Sequence, residues 1–215
     1  MSRAILCGLL LLLASACEEV PRTYSTATDG ARVLFQDDFD RGVLGDAWLT
    51  TGGGVTLERG ALRLAGLHNH PVWLRTELPD DIRIEFDAWA ETEEGDIKVE
   101  LAGDGRSFAK TASYTATGYV VIFGGWDNKL HVIARRDEHA DDRVEVAAEP
   151  AVEPERRYRV AITRRGGELR FEVDGELIAE MIDDAPLTGE GQRHFAFNNW
   201  EAPTRFDNLV IYALE

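Results

Sequence analysis

A period of two constrains this chain more than any other feature. From Ile82 to Glu91, the residues Ile82, Ile84, Phe86 and Ala88 share one side, and Arg83, Glu85, Asp87, Trp89 and Glu91 share the other. That spacing predicts a β-strand with one buried face. Arg157 to Thr163 repeats the rule with Tyr158, Val160 and Ile162 inward, then Gly166-Gly167 turns the chain into Leu169, Phe171 and Val173. Asp174-Gly175 turns it again into Glu176 to Met181. Such two-residue connections between alternating runs are strong hairpin signals. Further strands are predicted over Val33 to Phe39, Val55 to Glu58, Ala61 to Leu64, Val72 to Leu78, Ile97 to Leu101, Tyr119 to Phe123, Leu130 to Ala134, Val144 to Ala147, His194 to Phe197 and Phe206 to Tyr212. No segment carries a helical period. Residues 33–215 hold enough chain for one large core, and so many short strands predict an all-β domain of two stacked antiparallel sheets, a sandwich or jelly roll.

What precedes that domain has a different character. Arg3, the apolar run Ala4 to Leu13, and the small residues Ala14, Ser15 and Ala16 before Cys17 form the three-part layout of a signal peptide over residues 1–16. Cys7 lies in the removed part, so the exported chain keeps one thiol, Cys17, and no intramolecular disulfide is expected. Leu13-Ala14-Ser15-Ala16-Cys17 resembles the lipobox of bacterial lipoproteins, with Leu13 one place earlier than the family's leucine. The resemblance implies acylation of Cys17 and stable attachment to a membrane through lipid alone. Cleavage after small residues without lipidation would fall at the same bond. The polar stretch up to Arg32, with Pro21 and several Thr and Ser, reads as a flexible tether over residues 17–32. The expected location is the bacterial cell envelope, at the outer rather than the inner membrane. Without residues 1–16, 22 basic side chains face 39 acidic ones, a formal charge of −17, which disfavours nucleic acid and anionic headgroups as partners.

Leu34 to Asp40, Leu44 to Trp48 and Gly60 to Leu64, with Tyr158 to Gly175 and the closing Arg205 to Tyr212, resemble in their order along the chain the concanavalin A-like lectin and glucanase domains, including laminin G-like modules. The resemblance implies a jelly roll of two curved sheets whose concave face holds saccharide in many relatives. Sugar recognition needs flat apolar rings against the C–H face of a pyranose and planar polar groups for paired hydroxyls. Trp126 with Asn128, and Trp200 with Asn199, supply that mixture, and His68, His70, Trp73 and Arg135 extend it. Catalytic members of the superfamily carry Glu-x-Asp-x-x-Glu or Glu-x-Asp-x-Glu on one strand. Glu85-x-Asp87-x-x-x-Glu91 fits neither, since Glu85 and Glu91 would stand about 20 Å apart on a strand, so Glu85 and Asp87 are the catalytic candidates of a chain read mainly as non-catalytic. A solvated acidic strand face is the plainer reading of them. His68 and His70, with Asp137 and His139, would need folding to assemble a zinc site, whereas Asp37, Asp38 and Asp40 at the start and Asp207 in the last strand suit calcium. The expected function is carbohydrate binding, with glycoside hydrolysis, or an adhesive envelope role with protein partners, as the alternatives.

Overall fold

A computed structural model describes residues 31–111 and 114–215. The signal segment, Cys17 and most of the tether lie outside the described residues. In chain order the strands are β1 (Arg32–Asp37), β2 (Trp48–Thr50), β3 (Val55–Glu58), β4 (Ala61–Leu64), β5 (Val72–Leu74), β6 (Ile82–Ala90), β7 (Ile97–Gly103), β8 (Tyr119–Gly124), β9 (Leu130–Arg135), β10 (Val144–Ala147), β11 (Tyr158–Arg165), β12 (Glu168–Val173), β13 (Glu176–Ile182), β14 (His194–Asn198) and β15 (Thr204–Ala213). A four-residue turn, α1 (Gly125–Asn128), separates β8 from β9.

Two antiparallel sheets result. The back sheet runs β13-β12-β11-β6-β15-β4-β3, and the front sheet runs β10-β9-β8-β7-β14-β5-β2. At ten residues β15 is long enough to take two partners along one edge, β4 against Thr204 to Phe206 and β1 against Leu209 to Ala213. The first and last strands of the domain therefore pair.

The inward residues of both sheets form one core, in which Phe197 of the front sheet meets Phe86 and Phe206 of the back sheet at ring-centroid distances of 5.4 and 4.3 Å. At the hairpin of β12 and β13, Asp174 and Gly175 have φ of 52° and 86°, the two positive values of the tight turn predicted there. Two expectations need correction. β2 has only three residues, too short to show a period, and was not predicted. The outward face of β6 is not solvated: Arg83, Glu85 and Trp89 are buried along with the core residues, because neighbouring strands supply matching charges. Arg83 Nε donates to Glu85 Oε1 at 2.7 Å, and Arg159 Nη2 donates to Glu85 Oε2 at 3.0 Å from β11.

Candidate functional site

Alternation along β7 puts Ile97, Val99 and Leu101 into the core and leaves Lys98 and Glu100 on the far face of the front sheet. Register places Ile122 of β8 and Asn198 of β14 on either side of Lys98. Two surfaces meet there. One is apolar, a small cluster of Ala116, Val120, Ile122, Val132 and Ala134 with Trp126 packed against it. The other is a buried polar network. Lys98 Nζ pairs with Glu138 Oε2 at 2.8 Å and donates to Asn69 Oδ1 at 3.0 Å. The Glu100 carboxylate accepts from Asn198 Nδ2 at 2.9 Å and from the Tyr114 hydroxyl at 3.0 Å.

Burial dominates the electrostatics of this floor. It pushes the Glu100 carboxyl up to about 8, against the opposing pull of the Tyr114 hydroxyl and Lys98. It also raises Asp96, partly offset by Lys98. Burial works against the charge on Lys98 too, but Glu138 and Asp96 outweigh it and hold the ammonium above its ordinary value. Tyr114 is raised, first by burial and then by the neighbouring Glu100.

Over this floor lies a cavity of about 530 Å³, with Trp126 and Trp200 both in its lining. That volume is in the range of small-molecule sites. The Trp126 indole is held by an unusual local backbone. Trp126, Asp127 and Asn128 have φ of 54°, 54° and 59°, three successive side-chain-bearing residues in the left-handed region. Each such residue costs about 1–2 kcal/mol, so the surroundings must impose the turn. They do so through Asn128, whose amide donates to Val152 O at 2.8 Å and Glu93 O at 3.1 Å while its oxygen accepts from Val152 N at 2.9 Å. Gly95 passes beneath, where a Cβ would lie 2.4 Å from Gly124 O. The Trp200 backbone N–H donates to Asp96 Oδ2 at 2.6 Å, and its ring stands edge-on to His68 at 4.8 Å. Asn199 anchors the same loop, accepting from Leu67 N at 3.0 Å and donating to Leu64 O and Ala202 O at 3.2 and 2.7 Å.

The structure therefore brings Trp126, Trp200, Asp137 and His139 to one cavity and gives other predicted residues different work. Asn128 and Asn199 spend their amides on backbone, so they position the indoles instead of offering free hydrogen bonds. Trp73 is fully buried, with its indole N–H on Ser107 O at 2.9 Å, and presents no open face. His70 bonds Leu67 O at 2.8 Å and stacks on Phe108, away from the cavity lining. Arg135 is committed to Asp183 Oδ2 at 2.9 Å and Ala185 O at 3.2 Å.

Glu85 and Asp87 lie on the back sheet, neutralised by Arg83, Arg157 and Arg159, with no part in the cavity. The aspartates assigned to calcium are also spoken for. Asp37 binds the Arg41 guanidinium, the Trp48 indole N–H at 2.8 Å and Phe39 N at 2.9 Å, so an arginine stands beside it where a cation was expected. Asp38 accepts from Asp40 N at 3.1 Å, and Asp207 pairs with Arg157 at 3.2 Å. His68 and Asn69 have φ of 49° and 60°, which breaks the extended geometry a histidine pair would need. Among the described residues no group of three or more His, Cys, Asp or Glu side chains is arranged to hold a metal.

Residues missed by sequence reasoning form most of the floor: Asn69, Asp96, Lys98, Glu100, Tyr114 and Glu138. A signal existed in Asp96-x-Lys98-x-Glu100, which has the spacing of Glu-x-Asp-x-Glu with a lysine at its centre.

No family model matches the chain, and no curated protein matches it. Solved structures do. The carbohydrate binding module CBM66 from Bacillus subtilis superposes with a TM-score of 0.60 at 15% identity, covering 78% of this chain and 96% of that one. The Bacillus licheniformis beta-glucanase gives 0.58 at 13% identity, over 84% and 98% of the two chains. A beta-1,3-1,4-glucanase from a mouse hindgut metagenome gives 0.58 at 13% identity, over 83% and 98%. At such identities the likeness is one of fold, and the fold is an all-β, two-sheet jelly-roll sandwich.

Proposed function

We propose that this domain binds an oligo- or polysaccharide in the cavity over β7, without cleaving it, at a bacterial envelope to which Cys17 tethers it through lipid. The observation that carries the reading is the convergence of Trp126 and Trp200, 74 positions apart in the chain, on one cavity with a polar floor. Two indoles supply stacking surface for pyranose rings, and the floor supplies oriented polar groups. The solved neighbours that share the fold include a carbohydrate binding module and glucanases, which lends support to a saccharide over other ligand classes.

Cleavage fits the floor poorly. The acids Asp96 and Glu138 both face the Lys98 ammonium, which is bonded to Glu138 at 2.8 Å and occupies the floor where a general acid and its partner would have to act. Glycoside hydrolysis uses carboxyls about 5–5.5 Å apart for retention or about 6.5–9.5 Å for inversion. Glu100 has no exposed surface and both oxygens engaged, so it is shut off from a glycosidic bond.

The test is a glycan array followed by titration of the best ligand. Trp126→Ala and Trp200→Ala should each weaken binding at least about tenfold, the loss of about 1.4 kcal/mol that one stacking platform supports. Unchanged affinity in both variants would end the proposal. Release of new reducing ends, abolished by Asp96→Asn or Glu138→Gln, would replace it with hydrolysis. The lipid is tested separately by mass spectrometry of the exported protein, where an unmodified Cys17 would remove the anchor from the reading.

A further inference from the structure

We infer that the cavity discriminates among saccharides by charge, accepting sugars that carry protonated amines ahead of their N-acylated or anionic counterparts. The inference rests on the saccharide reading above and deepens it. Among the described residues the cavity lining holds six carboxyl groups and one Lys or Arg side chain, Lys98. That lysine is not available to a ligand: it is buried, paired to Glu138 at 2.8 Å and bonded to Asn69 at 3.0 Å. An anionic sugar entering here would lose its hydration and find no free cation.

A cationic sugar meets the opposite situation. Glu94 and Glu201 are exposed, each with only a weak local partner among the described residues, Thr92 Oγ1 at 3.4 Å and His68 Nδ1 at 3.9 Å. The indole walls add to the attraction, because the face of a tryptophan ring is electrostatically negative. Trp126 already displays this, with the Arg143 guanidinium 4.8 Å from its ring centroid. Trp200, 39% exposed and clasped only edge-on by His68, has ring surface left to offer an ammonium. The net charge of the whole chain, −16, reinforces the sign of the local field.

Two probes isolate the nitrogen: the β-1,4 tetramer of glucosamine and the same tetramer fully N-acetylated, titrated calorimetrically into the full chain. The amine tetramer should bind at least about tenfold tighter at 50 mM salt, and the gap should close by about 0.5 M salt, where exposed charges are screened. Glu94→Gln with Glu201→Gln should cut the amine tetramer's affinity about threefold per site and leave the N-acetylated tetramer unaffected. Trp126→Ala should weaken the amine tetramer as well, because a site in the cavity needs its wall. Equal or tighter binding of the N-acetylated tetramer, still lost in Trp126→Ala, would overturn the charge inference and leave the saccharide reading intact. Amine binding that survives Trp126→Ala would mark diffuse attraction to an acidic surface and overturn the inference. Absence of any binding at millimolar concentration, by these tetramers and across the array, would overturn both.

Discussion

Glu100→Gln should make this protein more stable at neutral pH, against the usual outcome of editing a buried polar network. Glu100 has no exposed surface, and burial pushes its carboxyl up to about 8 from an ordinary 4.5. Between those values the folded chain keeps a proton that the unfolded chain releases, so stability falls as pH rises through the window. Each pH unit is about 1.4 kcal/mol for one group, which makes the loss from pH 5 to pH 7 about 2.7 kcal/mol. Glutamine removes the titration and can keep both contacts, its oxygen accepting from Asn198 Nδ2 and its amide donating to the Tyr114 hydroxyl.

Other groups set the background slope. Asp96 is raised by burial and adds a loss of the same sign. His131 is lowered by burial, so its contribution is lost as pH falls and runs the other way. The difference between variant and parent removes both. Thermal unfolding at pH 5 and pH 7 should therefore show a Tm gap that widens by about 5–11 °C in favour of Glu100→Gln, at about 2–4 °C per kcal/mol for a domain of this size. A gap that stays constant, or a variant less stable than the parent at pH 7, would refute the picture of a carboxyl held neutral by burial.

Two further outcomes follow from the same reasoning. Glu91 on the back sheet is held down to about 2, first by its hydrogen bond to Arg63 and then by Arg205. Its stabilisation is complete above pH 4.5 and is lost as pH falls through 2. Because the group keeps some solvent contact, Glu91→Gln should cost about 1 kcal/mol at pH 7 in urea unfolding and nothing measurable near pH 2. Gly95→Ala forces a Cβ to 2.4 Å from Gly124 O at a φ of +74°, so unfolding should show a loss of about 2 kcal/mol or more. The same change should weaken ligand affinity, since α1 and Trp126 follow directly on Gly124; full affinity in Gly95→Ala would show that the left-handed turn tolerates displacement.

How much of this was legible in the sequence depended on the range of the interactions involved. Strands β3, β4 and β10 were readable to the residue, because alternation and turn residues are local facts of the chain. The two indoles were readable as a pair because Trp beside Asn is an unusual local composition, although the role of that Asn was not. Asn128 spends its amide on Val152, 24 residues away, and Asn199 spends its own on Leu64, 135 residues away. No sequence window contains both partners. Arg41 beside Asp37 was close enough to read, four positions apart, but an acid in a turn gives no sign of whether a metal or a guanidinium will satisfy it.

The hardest feature to foresee is the floor, and the reason lies in the alternation that made the fold easy. A strand whose outward residues are Lys98 and Glu100 has the pattern of any half-solvated strand, and so does β6 with Arg83 and Glu85. Both outward faces are buried in the folded chain, yet for different reasons. On β6 the cover is a set of arginines, chiefly from neighbouring strands of the same sheet, which pairs each acid with a guanidinium. On β7 the cover comes from loops, with Asn69, Tyr114, Glu138 and Trp200 converging from four separate connections around a cavity of about 530 Å³. The acids of β6 are paired with arginines, whereas burial drives Glu100 on β7 toward its neutral form. The candidate site therefore lies on the face roofed by loops, where the cavity that holds both indoles coincides with carboxyls raised by burial.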